Sequence, residues 1–256
     1  MVLALINDIE SSGNLLKSAV YIATNLKKEF GILSFVNNPE QAENQKIRIH
    51  NFLSDNTLQN VRFHIKQENI DRLADACESL EASFLIIQPA DNRKKTLRND
   101  LVYCRDLRIP YLFYKQEFPV LDLGKVMLPI GFLVEELEKA QFASAFGRFC
   151  QSRIEMMLAN DYGSKAATNA EKMKFIFDKF ELQYSLEKAK NDSFKVEKEA
   201  VRRAEREGFG IVIISASRDY GLDDIIFGPK EYHLIRTSAV PLLIVNPRGD
   251  LYTLCD

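Results

Sequence analysis

KNDSFKVEKEAVRRAEREGFGIVIISASRDYGLDDIIFGPKEYHLIRTSAVPLLIVNP (residues 190–247) decides the fold. A charged helical stretch over 193–207 stops at the Gly208 to Gly210 segment, because glycine adopts the left-handed conformation that closes a helix. An apolar strand follows at Ile211–Ile214. A loop leads to a helix over 229–237, and Pro241 opens the last strand, Leu242–Val245. Helix, strand, helix, strand in this order is the chemistry of a parallel sheet, whose successive strands need crossover helices.

Working outward, the same rhythm fills the chain. Before residue 190 come a strand at Lys125–Ile130, a helix over 134–150, a strand at Ile154–Leu158, a helix over 164–180 and an alternating strand at Leu182–Leu186. The first half reads alike. Residues 2–7 form a strand, and Leu15, Ala19, Ile22, Ala23 and Leu26 mark one helix face. Strand Gly31–Val36, helix 39–55, strand Val61–Ile65, helix 70–80, strand Ser83–Ile87, helix 96–107 and strand Tyr111–Tyr114 follow. The first strands lie about 123 residues apart, and Pro110 and Pro241 lie 131 apart. A period this long indicates two copies of a domain. The expected domains are 1–116 and 124–248, joined by a linker containing Pro119, with a tail at 249–256.

Strand composition points to topology. The third strand of each half has one polar face, which places it at a sheet edge. The fifth strands, YLFY and LLIV, are apolar throughout. The economical arrangement has these two edges covering each other, and the same edge or other faces serve equally for homodimerisation.

Composition narrows the function. Lys plus Arg is 34 and Asp plus Glu is 36, a net charge of −2, which argues against a broad nucleic-acid footprint. No apolar run approaches the roughly 20 residues of a bilayer span. The four cysteines (Cys77, Cys104, Cys150, Cys255) form no CxxC pair, and His50, His64 and His233 have no metal-ligand spacing. The expectation is a reduced cytoplasmic protein without a metal centre, with Cys77, Cys104 and Cys150 as buried thiols. No nucleophile and base stand at motif spacing, so no catalytic residue is assigned.

Residues 190–247 resemble the C-terminal half of a universal stress protein domain. Such domains run from a charged helix into an apolar fourth strand and end in a helix near Arg and a strand opening Pro-(V/L)-L-(I/L)-V; Arg236, Thr237, Pro241 and Val245 fit. The openings VLALINDIESSGNLLKSAVYIA and KVMLPIGFLVEELEKAQFASA are similar to the family's first strand and helix. The resemblance implies two tandem Rossmann-like (adenine nucleotide alpha hydrolase-like) domains. Each would be a five-stranded parallel sheet of order 3-2-1-4-5 with helices on both faces.

The resemblance also implies an adenine nucleotide such as ATP as ligand, held by G-x2-G-x9-G-(S/T) after the fourth strand. Glycines let the backbone approach the phosphates, and helix N–H groups receive the anion. Here those positions are Ser215, Arg218, Gly228 and Pro229. Pro229 has no N–H; a lost donor to a charged oxygen costs roughly 1.5–3 kcal/mol. Gly228-Pro229 reads first as a helix start with Pro at the first helical position. The family's acid after the first strand is Asp8 in the first half and aligns with Gly131 in the second. Asp8 is either a ligand contact or a cap of the first helix with Ser11 and Ser12. The first half's loop, QPADNRKKTLR (88–98), carries no glycine but a basic cluster of Arg93, Lys94, Lys95 and Arg98.

The expected function is that of a non-catalytic, stress-associated binding or regulatory protein, partnered by protein and neither by nucleic acid nor by membrane, with weak or lost ATP binding. The alternative keeps a nucleotide or small anion at Asp8, Ser215, Ser217, Arg218 and Gly228. A tandem phosphoacceptor of receiver type is a third reading, suited by Asn7-Asp8 and Lys115, but the third strands VRFHIK and LQYSLE do not end in the Asp it needs.

Overall fold

The computed structural model describes residues 1–56, 58, 61–89, 94–217 and 229–247, the side chains of 94–96 excepted. The chain divides into two compact units, Met1–Val120 and Leu121–Asp256.

In the first unit, β1 (Val2–Leu5), β2 (Phe30–Phe35), β3 (Arg62–Lys66), β4 (Phe84–Ile87) and β5 (Tyr111–Phe113) pair in parallel in the order β3-β2-β1-β4-β5. Helices α1 (Gly13–Asn25), α2 (Pro39–Asp55), α3 (Leu73–Ser79) and α4 (Lys94–Cys104) form the crossovers. In the second unit, β6 (Lys125–Ile130), β7 (Arg153–Leu158), β8 (Tyr184–Lys188), β9 (Ile211–Ser215) and β10 (Leu242–Val245) take the order β8-β7-β6-β9-β10, again parallel. Its helices among the described residues are α5 (Glu138–Phe149), α6 (Lys165–Lys179), α7 (Val196–Glu207) and α8 (Lys230–Thr237).

Burial explains the order. β1, β4 and β9 are buried at every residue, as a strand covered by helices on both faces must be. β3 and β8 are the wet strands, partly or fully exposed throughout. Against the first sheet lie Leu16, Ala19 and Ile22 of α1; against the second lie Met173 and Phe177 of α6.

Local chemistry sets most boundaries. Asn38 caps α2 by accepting from Gln41 N at 2.9 Å, with Pro39 following it, and Gln41 Oε1 accepts in return from Asn37 N at 3.0 Å, a reciprocal cap. Gly208, at φ +67°, ends α7 where its sequence places the stop. Four other ends use non-glycine residues in the left-handed region: Lys27, Glu81, Gln151 and Glu181. Glu181 moves a boundary. With Leu182 N donating to Phe177 O at 3.0 Å, residues 181–182 still belong to the turn after α6, so the strand is Tyr184–Lys188 rather than the expected Leu182–Leu186. The helix expected from 193 begins at Val196, because Asp192 O first accepts from Lys195 N and Val196 N. Pro229 is the N-cap of α8, extended at ψ 162°, and not its first helical residue.

The segment expected to be a linker is packed: Phe118, Leu121 and Leu123 are buried. Gly210 shows how close this segment runs. A Cβ there would lie 1.4 Å from Asp122 O, so only glycine fits.

Candidate functional site

In parallel α/β sheets, ligands bind beyond the carboxyl ends of the strands. In the first unit that place is the junction of β1 and β4. Gln88, the residue after β4, is 8% exposed and turns its side chain into this junction. Gln88 Oε1 accepts from Asn7 N at 2.8 Å and Asp8 N at 2.9 Å. Gln88 Nε2 donates to Asp8 O and to Ser11 Oγ, both at 2.9 Å, and Asn7 Nδ2 donates to Gln88 O at 2.7 Å. A primary amide offers two donors and two acceptor sites, and all four are engaged. The N–H groups that would face a ligand after β1 are therefore taken by a side chain.

Asp8 is equally occupied. Its carboxylate accepts from Ser11 Oγ at 2.7 Å and Ser11 N at 3.2 Å, and from Arg48 Nη2 at 2.7 Å. Arg48 also grips Glu10 through its Nε at 2.9 Å and through Nη2. The Ser11 hydrogen bond, then Glu10 and Arg48, hold the Asp8 carboxyl down to about 2. Asp8 does not cap α1 directly. The N-cap is Ser12, whose hydroxyl donates to Asp8 O at 2.6 Å.

In the second unit the junction of β6 and β9 holds a buried ionic cluster. Lys139, fully buried, pairs with Glu136 at 2.5 Å and donates to Pro129 O at 2.6 Å. Glu136 Oε2 also accepts from Gly131 N at 3.1 Å. Glu197 of α7 accepts from Ser215 N at 3.2 Å and pairs with Lys230 at 3.0 Å. Burial alone would raise the Glu197 carboxyl; Lys230 and Lys139 hold it below the usual range. Partial desolvation opposes charge on Lys230, whose side chain is 41% exposed, and Glu197 and Glu136 raise it.

Glu231 completes the cluster. It lies in the first turn of α8, fully buried, and its carboxylate accepts from Ser217 N at 3.3 Å and Ser217 Oγ at 2.9 Å. Burial raises its carboxyl, opposed by these hydrogen bonds. The turn after β9, where a phosphate would seek N–H donors, thus already holds an anion from the protein itself. Among the described residues, Glu136, Glu197 and Glu231 stand at this junction with Lys139 and Lys230, so the protein's own carboxyl groups occupy the place a phosphate would take.

Gly131 aligns with Asp8 in the sequence, and its surroundings are tight for any side chain and place a carboxylate beside it. A Cβ there would stand 3.0 Å from Ser193 Oγ and 3.4 Å from Glu136 Oε1. Ser193 is itself fixed, donating to Asp161 Oδ2 at 2.5 Å and accepting from Phe132 N at 2.9 Å.

Of the residues singled out from sequence, Asp8, Ser215 and Ser217 lie at these two junctions, Asp8 in the first unit and the serines in the second. Ser215 Oγ, on a residue 6% exposed, has no hydrogen-bond partner among the described residues. Arg218 and Gly228 lie outside the described residues, as do Arg93 and Cys255. Cys77 and Cys104 are buried, and burial pushes the Cys77 thiol up to about 12. Cys150, expected to be buried, is only partly so, because it follows the last turn of α5. Sequence reasoning missed Gln88, Glu136, Lys139, Glu197, Lys230 and Glu231. The readable signal was Glu197, a carboxylate in the stripe of Ala200, Val201 and Ala204 that α7 buries.

No protein-family model matches this sequence, and no curated protein sequence matches it. Solved structures do. A universal stress protein from Archaeoglobus fulgidus superposes with a TM-score of 0.72 at 14% identity, over 97% of both chains. A putative universal stress protein from Pseudomonas aeruginosa gives 0.65 at 12%, over 96% of this chain and 93% of its own. The cytoplasmic domain of a prokaryotic cation chloride cotransporter gives 0.55 at 14%, over 95% and 93%. The chain has the α/β fold of the universal stress proteins, and at these identities the likeness is one of fold. Among the described residues, no helix is long and apolar enough to cross a membrane.

Proposed function

We propose that this chain is a tandem protein of universal stress type, with one five-stranded domain in each half, that acts by binding and not by catalysis. Its two nucleotide positions are closed by its own side chains: Gln88 fills the first and Glu231 the second. The observation that carries this reading is the Glu231 carboxylate seated on Ser217 N and Oγ. A phosphate at that place would have to displace an anion that is already hydrogen-bonded and buried. Retention of the fold without an open site supports a regulatory or scaffold role in the cytoplasm. The same fold as a cytoplasmic domain of a cotransporter is in keeping with a module that works through attachment to other proteins.

The test is nucleotide content. Protein purified without added ligand and then denatured is expected to release no adenine nucleotide by mass spectrometry, and Mg-ATP is expected to give no heat in calorimetry. Near-stoichiometric nucleotide, or micromolar ATP affinity, would overturn the reading. The second reading, a small anion at the turn after β9, draws on the unpartnered Ser215 Oγ. Inorganic phosphate binding that Ser215→Ala weakens would favour it.

We further propose that the two apolar fifth strands cover each other. Amide exchange is expected to be slow at Tyr111–Phe113 and Leu242–Val245 alike; fast exchange at both would remove this pairing.

A further inference from the structure

Helix α7 carries a face that neither junction uses. Its buried side is Val196, Glu197, Ala200, Val201 and Ala204. On the other side Lys195, Lys198, Arg202 and Arg206 follow one another at three- and four-residue steps, all exposed, and with Lys190 they line a groove of about 520 Å³. A charged helix of this kind ordinarily pairs its own charges at i, i+3 and i, i+4. Here the acids of the groove are turned elsewhere. Glu199 accepts from Lys190 N, Asn191 N and Asn191 Nδ2 at 2.6–3.1 Å. Glu205 accepts from Ala239 N at 2.8 Å. Arg203, one step round the helix, holds Glu155, Glu187 and Glu207. Lys190 is attracted by Glu199 without forming a salt bridge, and Lys195, Lys198, Arg202 and Arg206 are left without a salt-bridge partner among the described residues, on a chain whose net charge is −2.

We propose that this groove is a docking surface for an acidic segment of a partner protein. From Lys195 to Arg206 the cations extend over about 16 Å of helix, spaced by roughly one turn, the repeat at which a second helix presents its own Glu or Asp residues. No aromatic residue lines the groove, so nothing there stacks a base as single-strand nucleic-acid grooves do. A groove along a helix receives a linear chain, whereas a bilayer surface is flat. Asp192, exposed just before the helix, sets one end at which a partner's acids are unwelcome. This inference does not depend on the state of the nucleotide positions.

The experiment uses the full chain and a fluorescein-labelled helical peptide of roughly four turns with Glu on one face, read by anisotropy at low salt. The expected result is saturable binding that weakens as salt screens it. The variant Lys195→Glu/Lys198→Glu/Arg202→Glu is expected to lose about tenfold or more in affinity. Reversal of Lys172 and Lys179 on α6, equal in kind but off the groove, is expected to change it little. Should the triple reversal unfold, Lys198→Gln/Arg202→Gln serves instead and is expected to lose several-fold. Equal loss from groove and control variants overturns the proposal. So does a single-stranded oligonucleotide or an anionic vesicle that binds more tightly than the peptide and loses binding on groove reversal.

Discussion

Lys139→Ala is expected to destabilise the protein by about 3–5 kcal/mol, the usual effect of removing one partner from a buried ion pair. Lys139 has no exposed surface, and its ammonium is held by Glu136 and Pro129 O. Truncation leaves the Glu136 carboxylate buried without its cation, and Pro129 O without a donor. At about 2–4 °C per kcal/mol, the melting temperature should fall on the order of 10 °C. Replacing both members, Glu136→Gln with Lys139→Met, removes both charges while keeping an acceptor for Gly131 N. That variant is expected to be less damaged than Lys139→Ala alone. Urea unfolding followed by circular dichroism measures both. A loss below about 1 kcal/mol for Lys139→Ala would show that the pair is solvated and the cluster is not a buried one.

Asp100→Asn is expected to act in the opposite direction. Asp100 lies on α4, and its Oδ2 is buried without a hydrogen-bond partner among the described residues. Burial pushes its carboxyl up to about 6. Cys104, one turn on, feels this charge and is itself held well above the usual thiol range, first by burial. Because the folded value is raised, the folded chain keeps a proton that the unfolded chain sheds between about pH 4 and 6. Stability attributable to this group therefore falls as pH rises through that window, and the full penalty is present at pH 7. A carboxyl raised from its ordinary value to about 6 corresponds to about 3 kcal/mol; with solvent reaching part of the side chain, a gain of about 1–2 kcal/mol is expected at pH 7 and little at pH 4. A variant stabilised equally at both pH values would refute the assignment.

Much of the fold was legible because burial on both faces of a parallel strand leaves an unbroken apolar run. IVII, SFLII and VLALIN are such runs, and the one-sided strands at 62–66 and 184–188 stand out against them. What was not legible has physical causes. Left-handed caps at Lys27, Glu81, Gln151 and Glu181 have no composition signal, since these residues tolerate that conformation only when the turn imposes it. The alternation from Leu182 was real, but its first residues were absorbed by such a turn. At the candidate site the sequence marked Asp8 and the Ser215–Ser217 segment by what a ligand would need. It did not show what the protein itself puts there, because Gln88, Glu197 and Glu231 become site residues only when crossovers bring distant strand ends together. Glu199 and Glu205 illustrate the same limit on the surface: their spacing suggests pairing along α7, and backbone donors from other loops claim them instead.

The contact between Gly210 and Asp122 O has a genetic consequence. Every single-base change in a glycine codon that replaces glycine by another amino acid adds a Cβ, and no rotamer can move a Cβ away from a carbonyl oxygen. No replacement one base away is neutral at this position. It can drift only if the backbone at Asp122 drifts first, which makes 122 and 210 a pair whose order of change is fixed: the linker must lift before the strand entrance can vary.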